Sequence, residues 1–175
     1  MPNGFREYPE EIYDLFLSLI DHDGKVIDLG CGNGLMLRHL LTKSKYRLIP
    51  YGVDFIEESI RQAREVILPM YAENFKVGNI VDIDLGANSF DFIFFDPYNV
   101  HSDDMQGMID KLLRACKSGG KVIFYTYKDV IKVLRLLKIF RLKWIGWVGD
   151  LLPQDIANRL KRIDHHEVSV GVYKA

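Results

Sequence analysis

Asp28, Gly30, Gly32, Gly34 and Asp54 are the residues whose types and spacing point most directly to chemistry. Val26-Ile27-Asp28-Leu29 reads as a buried strand that empties into the turn Gly30-Cys31-Gly32-Asn33-Gly34, and a helical pattern starts at Leu35. Three glycines leave no Cβ atoms in the bend, so a ligand can lie against the backbone there. A second apolar stretch, Tyr51-Gly52-Val53, ends in Asp54. An acid at the tip of a neighbouring strand can accept hydrogen bonds from both hydroxyls of a ribose. Its competing role is to cap a helix that starts near Ile56. A glycine turn followed by a ribose acid describes a nucleoside-containing cofactor.

The glycine pattern narrows the choice. A dinucleotide fingerprint is G-x-G-x-x-G, with a helix N-terminus facing a pyrophosphate. This chain has G-x-G-x-G preceded by Asp28, and an acid there suits a cation better than a pyrophosphate. Asp28-Leu29-Gly30-Cys31-Gly32-Asn33-Gly34 resembles the hallmark of the class I S-adenosylmethionine-dependent methyltransferases: an acid, one residue, then G-x-G-x-G. Further matched segments are Gly52-Val53-Asp54 through Ile60, Gly78-Asn79-Ile80, and Asn88-Ser89-Phe90-Asp91 through Phe95. The resemblance covers roughly Val26 to Tyr125.

It implies an α/β three-layer sandwich: a doubly wound, mostly parallel seven-stranded sheet whose last strand is antiparallel. It implies S-adenosyl-L-methionine as cofactor and S-adenosyl-L-homocysteine as product. On the matching residues, Asp28 would favour the ammonium side of the cofactor; its competing role is to accept from the turn's own N–H groups. Gly30, Gly32 and Gly34, with Cys31 between them, would let the methionyl part approach the main chain. Asp54 would take the ribose, Phe55 would cover ribose or adenine, and Asn79 and Ile80 would meet the adenine.

Methyl transfer from a sulfonium is an in-line displacement, so positioning of the nucleophile supplies much of the effect. A base is needed where the acceptor must lose a proton early. The end of the fourth strand faces the methyl group in this fold, and here it reads Phe95-Asp96-Pro97-Tyr98-Asn99-Val100-His101. Asp96-Pro97-Tyr98 resembles the Asp/Asn-Pro-Pro-aromatic motif of amino-methylating enzymes, without the second proline. Val100-His101 resembles the apolar-histidine position of small-molecule methyltransferases, with His101 as a base near neutral pH. Asp96, Tyr98 and His101 are therefore the candidate catalytic residues. The acceptor expectation leans to an amino nitrogen of an RNA or DNA base, with a small metabolite as the alternative. A basic stripe at Lys128, Lys132, Arg135, Lys138 and Arg141, extended by Arg159, Lys161 and Arg162, would suit phosphates. Rival readings are a nicotinamide oxidoreductase and a non-catalytic cofactor-binding subunit.

The elements that must position these residues alternate. Strands are expected at about 25–29, 49–53, 75–78, 91–95 and 120–126, with helices at about 34–43, 56–67 and 103–117, the last holding Cys116. That alternation implies a parallel sheet with helices on both faces. Glu10 to Ile20 reads as an amphipathic helix and Asp129 to Phe140 as another. Trp144 to Val148 is expected as a strand, Pro153 to Arg162 as a short helix, and Glu167 to Tyr173 as the final strand. The expected organisation is one methyltransferase domain over 1–175: an N-terminal helical segment (1–24), a cofactor-binding core (25–126), and a basic helix with the sheet edge (127–175).

Bulk properties agree with a single globular domain: 175 residues, 48% hydrophobic, net charge −1. The first 120 residues carry a balance of −7 and the remainder +6, a split that can mark an anionic partner. Two cysteines make no disulfide framework, and no Cys/His spacing marks a zinc site, so no metal is expected. No apolar stretch approaches the roughly 20 residues of a membrane span. The expectation is a cytoplasmic protein with no membrane partner and an open site completed by a large substrate or a partner subunit, with a homo-oligomer as a further partner expectation.

Overall fold

The computed structural model describes residues 10–128 and 147–175. Seven strands form one sheet: β1 (Gly24–Leu29), β2 (Leu48–Asp54), β3 (Phe75–Val77), β4 (Phe90–Phe95), β5 (Cys116–Tyr127), β6 (Lys161–Asp164) and β7 (Val168–Lys174), in the order β3-β2-β1-β4-β5-β7-β6. β1 to β5 pair in parallel, and β7 runs antiparallel between β5 and β6. This is the expected doubly wound sheet with its last strand reversed.

Side chains alternate between two cores. Phe92 and Phe94 of β4 join Val26, Ile123 and Val170 on one face, where α1 (Glu10–Leu17), α2 (Leu35–Lys43) and α3 (Glu57–Gln62) pack through Ile12, Phe16, Leu37, Leu40 and Ile60. Ile93 and Phe95 join Ile27, Leu29, Val122 and Phe124 on the other, against Met108, Ile109 and Leu112 of α4 (Met105–Ala115). The period-two alternation of an extended strand sends neighbouring residues to opposite faces, and a sheet covered on both faces needs both sets apolar.

The register positions the site. Leu29 at the end of β1 pairs with Val53 of β2 on one side and Phe95 of β4 on the other. The next residue along each strand is Gly30, Asp54 and Asp96, so these three stand at one level at the C-terminal ends of their strands. They do so where the connections from β1 and from β4 diverge, the crevice in which open α/β sheets bind ligands.

Three sequence expectations are corrected. The sixth strand is Lys161–Asp164, overlapping the last two residues of the span expected to be helical; of the strand expected at Trp144–Val148, only Trp147 and Val148 are described. Val148–Leu151 is a 3-10 turn, because Val148 N–H donates to Ser169 Oγ at 2.9 Å and Trp147 N–H to Asp150 Oδ2 at 2.9 Å, which diverts the backbone from a ladder. Cys116 opens β5 and does not end a helix; a register shift against β4 absorbs the following residues, with Gly120 where a Cβ would lie 2.7 Å from the Asp91 carbonyl oxygen. The helix expected at 56–67 is regular only to Gln62 and widens into a π turn at Ala63–Ile67. The helix expected at Asp129 to Phe140 lies outside the described residues. No helix among those described is long and apolar enough to cross a membrane.

Candidate functional site

The turn after β1 is shaped by three left-handed glycines: Gly30 (φ 92°), Gly32 (φ 52°) and Gly34 (φ 81°). L-residues with a Cβ rarely adopt this conformation. A Cβ on Gly32 would meet nothing within 4 Å, so the bare backbone there faces open space. A Cβ on Gly34 would press on Phe75 at 3.3 Å, so the last glycine also lets α2 seat against the sheet.

The donors of the turn are met by β2. Gly30 and Cys31 N–H groups donate to the Val53 carbonyl at 2.8 and 3.1 Å. Gly32 N–H donates to Asp54 Oδ2 at 2.8 Å, and Ile56 N–H to Asp54 Oδ1 at 2.9 Å. Asp54 thus ties the turn to the start of α3 and still has lone pairs for a ligand. Cys31 faces away: its thiol is buried against β2, where a Cβ on Gly52 would stand 2.6 Å from Sγ, and burial raises its pKa well above the ordinary thiol range.

Above this corner lies a cleft of about 500 Å³ lined by Gly30, Asp54, Phe55, Ile56, Gly78, Asn79, Ile80 and Asn99. That volume falls in the usual small-molecule range of roughly 300–1,000 Å³. Phe55 is 77% exposed and overhangs it, whereas Ile80 is buried at its floor. Asn79 Oδ1 accepts the Val81 N–H at 3.1 Å, so its amide oxygen is already engaged in its own turn. Asn99, given no role from sequence, sits with Nδ2 3.1 Å from where a Gly30 Cβ would be. Asparagine in a turn reads as turn chemistry, which is why it passed unnoticed. A larger hollow of about 820 Å³ lies at the opposite end of the strands, by the starts of β1 and β2. Its charges are largely spent in the pairs Asp23–Arg47 and Asp91–Lys117, and it carries none of the glycine turn.

Beside the cleft the site is acidic and dry. Asp28 is 3% exposed, and Tyr125 Oη donates to its Oδ1 at 3.4 Å. Burial pushes its pKa up to about 7; the Tyr125 hydroxyl opposes the rise, and the charges of Asp54 and Asp96 add to it. Asp28 is therefore no cap for the glycine turn, whose donors at Gly30, Cys31, Gly32 and Gly34 go elsewhere. Asp96 is 7% exposed and opens the 3-10 turn Pro97–Asn99, its Oδ1 accepting the Tyr98 N–H at 3.0 Å. Burial pushes its pKa up to about 7 as well, against hydrogen bonds from Tyr98 N–H and the Thr126 side chain.

The structure thus gathers Asp28, Gly30, Gly32, Asp54, Phe55, Asn79, Ile80 and Asp96 at one corner. Tyr98 is half-exposed on the turn above Asp96. None of the three candidate catalytic residues lines the cleft itself: Asp96 is buried beside it, whereas the His101 side chain is 72% exposed and its Nδ1 faces Asp103, 3.5 Å from the carboxylate. Of the basic stripe only Lys128 is described; Arg159 stacks over the Tyr173 ring, and Arg162 bonds Asp164 at 2.9 Å.

A methyltransferase-domain family model matches residues 20–144. The ubiquinone biosynthesis O-methyltransferase of Coxiella burnetii is 29% identical over 130 residues, which is 74% of this chain and 53% of that protein. The chain spans about half the length of the curated relatives it matches. Among solved structures, a protein of Pyrococcus horikoshii aligns with a TM-score of 0.68 at 21% identity, covering 94% of this chain and 88% of its own. A TehB-like methyltransferase of Corynebacterium glutamicum gives 0.63 at 17%, covering 93% and 85%. An RNA methyltransferase of Salinibacter ruber in complex with S-adenosyl-L-homocysteine gives 0.61 at 16%, covering 96% and 92%. At these identities the structural likeness shows the shared fold.

Proposed function

The chain belongs to the class I S-adenosylmethionine-dependent methyltransferases, and on that premise we propose that it methylates a hydroxyl group of a small-molecule acceptor. The observation that carries this reading is Asp96. A buried carboxyl whose pKa stands at about 7 is suited to take a proton from a hydroxyl as its oxygen is methylated. The name of the Coxiella relative, an O-methyltransferase, supports the same chemistry. The nucleic-acid lean drawn from Asp96-Pro97-Tyr98 finds no support in the comparisons, and the stripe that accompanied it falls mostly outside the described residues.

When bound, S-adenosylmethionine supplies a methyl group on a sulfonium. The residues fit that group: bare backbone at Gly32, a ribose acceptor in Asp54, and apolar contacts from Ile56 and Ile80 for a purine face. Asp28 and Asp96 hold negative charge beside a cationic ligand once ionised. Asp96 takes the acceptor proton on its carboxylate, while Thr126 and Tyr98 N–H fix its orientation. Tyr98, at the rim, offers a ring on which a planar acceptor can stack. A partner subunit or second copy would close the open side above it.

The experiment is transfer from methyl-labelled S-adenosylmethionine to two panels, phenolic and aliphatic hydroxyl compounds and, separately, RNA and DNA. Label in a small hydroxyl compound, lost in Asp96→Asn, is the expected result. Label confined to nucleic acid would replace this reading with base methylation.

A further inference from the structure

The first turn of α1 and the tight turn between β6 and β7 bring Glu11, His165 and His166 together. One potential ligand atom from each lies within 4.8 Å of the others. These groups come from opposite ends of the chain, which is why sequence spacing gives no hint of them. Their placement is anchored on both sides. Ile12, next to Glu11, and Val168, two residues beyond His166, are fully buried in the same apolar cluster. The turn itself is held by the Asp164–Ser169 pairing of β6 with β7 and by Lys128 N–H donating to the Glu167 carbonyl at 2.8 Å. The two imidazoles lie side by side, centroids 4.3 Å apart and tilted 33°.

We propose that Glu11, His165 and His166 form a binding site for a first-row divalent transition cation, Zn²⁺ foremost, at the junction of α1 and the β6–β7 turn. Two imidazole nitrogens and one carboxylate oxygen are the donor set such ions prefer, whereas Mg²⁺ and Ca²⁺ take oxygen shells. In a tetrahedral zinc site the ligand atoms stand about 3.4 Å apart, given bonds of roughly 2.0–2.2 Å. Small side-chain rotations close the present spacing, and Glu11 and His166 are exposed and able to make them. Three protein donors leave the fourth position to water. His165 Nδ1 now accepts the Glu167 N–H at 3.2 Å, so ligation through the other ring nitrogen moves the ring proton and gives up that bond. The Glu167 carboxylate lies 3.9 Å from His166 Nε2, beyond hydrogen-bond reach, and adds negative charge beside the site without orienting that ring. Val168 pairs with Tyr127 at the end of β5, so a bound ion would tie α1 to the sheet at the same end of the strands as the cleft.

The test uses the untagged full chain, stripped with chelator and titrated calorimetrically with Zn²⁺, Co²⁺ and Mg²⁺ as chloride salts. One equivalent of Zn²⁺ per chain in the micromolar range is expected, with Co²⁺ weaker and no Mg²⁺ binding. Glu11→Gln, His165→Ala and His166→Ala should each weaken Zn²⁺ at least tenfold. The metal-free unfolding midpoints of Glu11→Gln and His166→Ala should match wild type, since both groups are exposed. At equal Zn²⁺ concentration the unfolding midpoint should rise more for wild type than for any of the three variants. Absence of stoichiometric Zn²⁺ binding overturns the proposal. So does binding that survives all three substitutions, equal affinity for Mg²⁺, or an affinity indifferent to Glu11→Gln.

Discussion

Asp54 holds the middle glycine of the turn, its Oδ2 accepting the Gly32 N–H at 2.8 Å while its Oδ1 accepts from Ile56 at 2.9 Å. One carboxylate thereby joins the two segments that form the floor and wall of the cleft. Asp54→Ala leaves two part-buried donors unmet, which costs roughly 1–3 kcal/mol. Asp54→Asn keeps one acceptor oxygen and loses less. Urea unfolding of the two variants beside wild type reads the difference; equal stability of Asp54→Ala and wild type would refute the clamp.

The glycines separate folding from binding. Gly32→Ala meets no neighbour but is held at φ 52°, a strain of about 1–2 kcal/mol. Gly34→Ala adds contact with Phe75 at 3.3 Å to a similar strain. Thermal unfolding should therefore fall further for Gly34→Ala. S-adenosylhomocysteine affinity, per folded molecule, should fall further for Gly32→Ala, whose new methyl enters open space on the ligand side. The reverse order in both measurements would place the ligand elsewhere.

The buried acids set the pH dependence. Asp28 and Asp96, with pKa values of about 7, keep protons in the folded chain that the unfolded chain has released above about pH 4. The folded state binds more protons across that window, so the contribution of these groups to stability falls as pH rises from 4 to 7. Asp21, lowered first by its hydrogen bond with Lys121, and Asp23, lowered by Arg47, act oppositely, and their contribution is lost below about pH 4. Urea midpoints should decline between pH 5 and pH 8 in wild type and decline less in Asp28→Asn. A wild-type midpoint that rises across this range would contradict the assignment.

The turn, its acids and the central strands were legible because each leaves a local mark. β1 and β4 are apolar runs, the glycines are dictated by positive φ, and Asp54 ends a strand. β6 left none: Lys-Arg-Ile-Asp at an exposed sheet edge has no apolar face to alternate, and charge there guards the edge against further pairing. The convergence of Gly30, Asp54 and Asp96 depends on Leu29 pairing with both Val53 and Phe95, a register no local pattern encodes. His101 resembled a catalytic histidine by its place in sequence, yet the Pro97–Asn99 turn leaves it in solvent beside Asp103.

Two substitutions after β4 should therefore diverge in activity. Asp96→Asn should lower kcat/KM about 100-fold or more, the usual scale for loss of a positioned base. It should also remove an ascending limb near pH 7 in the wild-type profile, because the base acts only when ionised. His101→Ala should stay within about twofold of wild type. Steady-state rates over pH 5.5–8.5 for the three proteins decide the assignment. A His101→Ala loss as large as that of Asp96→Asn would move the base to the histidine.

In the proposed reading the corner of Gly30, Gly32 and Asp54 binds the cofactor. Calorimetric titration of S-adenosylhomocysteine into wild type and Asp54→Asn, with NADH as control, tests it most directly. Micromolar binding to wild type, at least tenfold weaker binding to the folded variant, and no NADH binding is the predicted result. Equal affinity for wild type and Asp54→Asn would put the ribose of the cofactor elsewhere on the chain.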